Sequence, residues 1–73
     1  MSEQEIKIST EEQILKSAIA VFQRDGFAGA RMQDIADMAG INKALLHYYY
    51  RSKEKLFQAV FVSVMSKVID EMQ

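Results

Sequence analysis

The sequence has no cysteine, no proline and no tryptophan, and only three glycines and one histidine among 73 residues. Without cysteine there is no disulfide framework and no thiolate metal site, which fits a reducing compartment. One histidine with scattered acids falls short of a metal ligand set. It also makes the usual nucleophile–base pairs scarce, so no catalytic residue and no cofactor is expected. Asp34 and Asp37 lie one helical step apart on a short polar face and read as solvated acids. Long apolar runs are missing too. The densest, "AVFVSVM" at 59–65, is far shorter than the ~18 residues of a membrane span. The opening "MSEQEIKIS" is polar and mixed in charge, unlike a signal peptide. A cytoplasmic protein without a membrane partner is expected, with residues 1–9 as a flexible arm.

What is present is the make-up of one small domain, 49% hydrophobic and 26% charged, which argues against a disordered chain. The net charge of −1 is unevenly spread. Residues 42–55 hold Lys43, Arg51, Lys53 and Lys55 against Glu54, a net of +3, and the remainder carries −4. Screening in physiological salt acts over about 8 Å, so the local charge governs close encounters. A basic edge on an acidic body is compatible with a polyanion such as nucleic acid.

Gly26, Gly29 and Gly40 punctuate the chain. Ser9 with Glu12, or Thr10 with Gln13, has the spacing of a capping box. Ile14, Leu15, Ala18, Ile19 and Phe22 then line one face, which predicts a helix over about 10–25 ending at a left-handed Gly26. Met32, Ile35, Ala36 and Ala39 share the inner face of a second, two-turn helix closed by Gly40, with Gln33, Asp34 and Asp37 outward. Asn42 is a strong N-cap for a third helix, in which Leu46 and Tyr50 form the buried side. Ser52 caps a fourth that runs from 53 to near the end. So tight a Gly40-Ile41 turn between two short helices predicts helix-turn-helix geometry, with the third helix free to enter a major groove. On the fourth, Phe61, Val64, Met65, Val68, Ile69 and Met72 form a wide apolar arc, with Ser63, Ser66, Lys67 and Asp70 facing away.

The segment "INKALLHYYYRSK" crowds aromatic and basic side chains together. Tyr50 reads as core with Leu46. His47, Tyr48 and Tyr49 span most of a helix of 3.6 residues per turn, so at least two must face outward. Exposed aromatics on so short a helix point to a contact surface.

The runs "ILKSAIAVFQRDGF" and "MQDIADMAGINKALLHYYYRSKEKLF" resemble the N-terminal DNA-binding domain of TetR-family bacterial transcriptional regulators, over about residues 14–57. The matching positions are Ile14-Leu15, Ala18, Phe22, Gly26-Phe27, Ile35-Ala36, Ala39-Gly40-Ile41, Asn42 to Tyr50, and Lys53. The resemblance implies an all-α fold, a three-helix helix-turn-helix bundle of the homeodomain-like kind over 10–52 followed by a long fourth helix. Residues 53–73 would begin the link to a ligand-binding and dimerising domain absent from this stretch. Some residues depart from the pattern: His47 stands for the usual tyrosine, Tyr49 for histidine and Tyr50 for phenylalanine. Ala30 and Arg31 stand where threonine or serine is usual.

The implied partner is a double-stranded operator, bound as a homodimer through helix four and the absent domain, with a small-molecule effector bound outside this chain. Lys43 sits in the first turn of helix three, where side chains reach bases or phosphates. Ala44 and Leu45 are placed for a thymine methyl. Tyr48 is the candidate base- or sugar-contacting residue. His47, Tyr49 and Lys53 are phosphate candidates, Arg31 supplies charge at the start of helix two, and Gln33 is a base-edge or backbone candidate. Plain solvation stays open for each lysine. A helical module that binds protein through the helix-three aromatics or the apolar face of helix four is the alternative.

Overall fold

The computed structural model describes residues 8–72. The arm expected over residues 1–9 falls mostly outside them. Four helices follow in order: α1 Thr10–Gly29, α2 Met32–Ala39, α3 Lys43–Tyr49 and α4 Lys53–Met72. Among the described residues there is no strand.

The start of α1 resolves the two capping options in favour of Ser9. Its Oγ accepts the Glu12 N–H at 3.1 Å, and Glu12 Oε1 accepts the Ser9 N–H at 3.4 Å. Glu11 and Glu12 place negative charge in the first turn, where the helix dipole favours it. The other end differs from expectation. Gly26 has φ 74° and ψ 168°, a positive φ but not the left-handed helical conformation. The chain kinks there and makes one more turn to Gly29, closed by Ala30 N–H on the Gly26 carbonyl at 3.0 Å. That extra turn carries Phe27 onto two other rings. It stacks on Phe22 with centroids 6.0 Å apart and meets Phe57 edge-on at 5.2 Å. Aromatic pairing at these separations contributes beyond simple burial.

Arg31 gives α2 no side-chain cap. Gly40 ends the helix at φ 75° and ψ 28°, the left-handed conformation that glycine adopts without strain. At α3 the Asn42 Oδ1 accepts the Leu45 N–H at 2.7 Å. Tyr50 has left the helix, with φ −139°, and its N–H caps the Leu46 carbonyl at 2.8 Å. The Ser52 hydroxyl accepts the Lys55 N–H at 3.1 Å in the first turn of α4.

The core is small and tight. Ile14, Ala18 and Val21 of α1, Ile35 and Ala36 of α2, Leu46 of α3 and Leu56 of α4 are fully or almost fully buried. The alanines let helix axes approach closely. α1 is the platform on which α2 and α4 pack, and α3 packs on α2. Beyond Val60, α4 offers Phe61, Val62, Val64, Met65, Val68, Ile69 and Met72 to solvent. Ser63 and Lys67, expected to face away from the arc, line a shallow groove against Glu12, Leu15, Lys16 and Ile19 of α1. No described helix is long and apolar enough to cross a membrane.

Candidate nucleic-acid interface

Leu46 is completely buried, so it fixes which side of α3 faces the core. With a turn every 3.6 residues, the opposite side is then set. Lys43, Ala44, Leu45, Tyr48 and Tyr49 are all exposed. Tyr48 is the extreme case at 81% exposure, against 38% for Leu45 and 39% for Tyr49. The Tyr48 ring stands edge-on to Tyr49, centroids 5.6 Å apart and planes at 89°. Each restrains the other's freedom, so the pair presents a defined shape to solvent. His47 is half-buried, with Nδ1 3.3 Å from the Arg51 carbonyl.

The cations around this helix are largely unneutralised. Among the described residues only Arg24 forms salt bridges, to Asp25 at 2.8 Å and to Asp34 at 3.8 Å. The hydrogen bond from Arg24 and its charge hold the Asp25 carboxyl below the ordinary carboxylate range. Arg31, Lys43, Arg51 and Lys55 therefore form no salt bridge with a carboxylate of the described residues. Arg51 and Lys55 stand out in the uneven charge of 42–55 but were not among the expected site residues. Arg51 is exposed in the link between α3 and α4.

Two expected site residues are engaged within the protein. Lys53 turns its ammonium to the end of α1, donating to the Ala28 and Ala30 carbonyls at 3.3 and 3.1 Å. It also lies 4.7 Å from the Phe27 ring centroid, in cation–π range. A lysine has three donors, so one remains for a further acceptor. Gln33 is exposed at the start of α2, but its Nε2 donates to Asp37 Oδ1 at 2.9 Å. Six expected residues, Lys43, Ala44, Leu45, His47, Tyr48 and Tyr49, stand together on α3. Arg31 and Gln33 stand apart from them at the start of α2.

The family model of the bacterial regulatory proteins of the tetR family matches residues 14–60. The chain belongs to that family. It is 45% identical over 51 residues to the HTH-type transcriptional repressor NicS of Pseudomonas putida, covering 70% of this chain and 24% of the relative. It is 39% identical over 57 residues to the HTH-type transcriptional regulator RutR of Escherichia coli, covering 78% and 25%. A crystal structure of a HlyIIR variant carrying a linker with thrombin sites superposes with a TM-score of 0.72 at 41% identity, over 74% of this chain and 30% of that one. The chain thus spans about a quarter of the length of these curated relatives. In this TetR-type helix-turn-helix domain, α2 and α3 are the paired helices, joined through Gly40 and Ile41.

Proposed function

We propose that this domain reads a specific duplex sequence through α3, as part of a ligand-responsive repressor that binds a palindromic operator as a dimer. The observation that carries the reading is the outer face of α3. Tyr48 and Lys43 are both exposed on a helix whose inner side is fixed by a fully buried Leu46, and neither Lys43 nor the adjoining Arg51 forms a salt bridge with a described carboxylate. Phosphate contacts by such cations release counterions, so affinity falls steeply with salt. Arg31, His47, Tyr49 and the third donor of Lys53 are assigned to the backbone. Lys43, Ala44, Leu45 and Tyr48 are assigned to the groove, with Gln33 at its edge.

Two recognition helices must lie about one DNA turn apart to read a two-fold site. The apolar side of α4 supports self-association that would set this spacing, and an effector bound outside these residues would alter it. Such a regulator works in the cytoplasm, where the chromosome is, and performs no catalysis.

Selection of bound duplexes from a random pool tests this reading. A palindromic consensus with salt-sensitive affinity is expected. The second reading, a protein-binding module, is favoured by the exposed run Phe61 to Met72 on α4. It predicts a protein partner held with an affinity insensitive to salt, and no consensus from the pool.

A further inference from the structure

The chemistry left on α3 narrows what kind of base edge it can distinguish. In the major groove adenine is read by the paired donor and acceptor of Asn or Gln, cytosine by a carboxylate, guanine by Arg or Lys, and thymine by apolar contact with its C5-methyl. The seven residues of α3, KALLHYY, include no acid and no amide. Asn42, the amide that caps α3, and Gln33, the exposed amide at the start of α2, are both held internally. Asn42 Oδ1 accepts the Leu45 N–H at 2.7 Å, and Gln33 Nε2 donates to Asp37 Oδ1 at 2.9 Å. Bidentate reading of adenine needs both ends of an amide at once, so neither is set for it. Tyrosine hydroxyls donate and accept alike, and so discriminate poorly between edges. What remains outward is Ala44, Leu45, the rings of Tyr48 and Tyr49, and one ammonium, Lys43.

Resting on the duplex-DNA reading above, we infer that the base selectivity of this domain is carried mainly by thymine C5-methyl groups packed against Ala44, Leu45 and Tyr48. Lys43 adds one guanine edge. The selected half-site is therefore rich in thymine on the strand that faces these side chains. Each methyl buried there removes apolar surface of both partners from water without needing a matched hydrogen bond.

The test uses the duplex selected from a random pool and the same duplex with deoxyuridine in place of thymine, one position at a time. Uracil keeps the base pair and the backbone charge and lacks only the methyl. The expected result is two or more thymines per half-site whose replacement weakens binding by about fourfold each, the weight of one buried methyl-sized group. The dependence on salt should not change. The Leu45→Ala chain should lose the response at one of these positions, which separates direct contact from an effect of uracil on duplex shape. Equal affinity for thymine and uracil duplexes overturns the inference and leaves the DNA reading standing. Uracil effects that persist unchanged in both Leu45→Ala and Tyr48→Ala also overturn it. If no duplex is enriched and binding ignores salt, the DNA reading fails, and this inference with it.

Discussion

The Tyr50 hydroxyl donates a hydrogen bond of 2.8 Å to Glu11 Oε2, tying the residue that caps the end of α3 to the first turn of α1. Tyr50 packs its ring against the core. Thirty-nine residues separate the partners, so the bond forms only when the domain is folded. Removing the hydroxyl alone, as in Tyr50→Phe, should cost about 0.5–1 kcal/mol in urea unfolding. No loss at all would mean that water serves the hydroxyl equally well.

The same bond gives a pH signature. Burial, aided by the hydrogen bond and charge of Glu11, pushes the Tyr50 phenol up to about 12 from an ordinary value of 10.0. The folded state therefore keeps the proton that the unfolded chain loses. This contribution to stability is intact below the unfolded value near 10 and is lost as pH rises toward 12. Melting at neutral pH and at about pH 11 should show a larger alkaline loss for the parent chain than for Tyr50→Phe. Equal losses would contradict the shift.

Lys53 joins α4 to the end of α1 through two carbonyls and the Phe27 ring. Lys53→Met should lower stability by about 1–2 kcal/mol. It should also weaken all duplexes alike and make the salt slope shallower by about one. A loss confined to particular sequences would contradict the phosphate role of its third donor.

Asn42→Ala should cost about 1 kcal/mol of stability, and Asn42→Asp much less, because aspartate still caps the Leu45 N–H. Thermal melts of the two variants give the comparison. Equal destabilisation would show that the cap contributes nothing.

Much of this fold was readable from local pattern. Ser9 with Glu12, the apolar spacing from Ile14 to Phe22, Gly40 and Asn42 each act within a turn or two of themselves, and the start of α1, the end of α2 and the start of α3 lie where they placed them. What escaped depends on distance. The extra turn after Gly26 exists because Phe27 meets Phe57, thirty residues on. The inward ammonium of Lys53 and the Glu11–Tyr50 bond likewise join parts of the chain that spacing rules do not relate. The side of α3 that faces solvent could be read because the buried position of Leu46 sets it, and the Gln33–Asp37 bond, four residues apart on one helix, was a local signal that the sequence also offered.

The apolar side of α4 makes a separate prediction about assembly. Light scattering on this chain should show mass rising with concentration. Phe61→Lys with Ile69→Lys should hold it monomeric without unfolding, since both side chains are exposed at 58% and 50%. A parent chain that stays monomeric at high concentration with α4 fully helical would contradict self-association through this face.

The most direct test of the account is duplex binding by Lys43→Ala and Tyr48→Ala, with the fold followed by circular dichroism. Both side chains are exposed and support no part of the core, so the spectra should match the parent. Each variant should bind the selected duplex at least tenfold more weakly, about the weight of one good groove contact. Parent-like affinity in both variants would contradict the assignment of α3 as the reading helix.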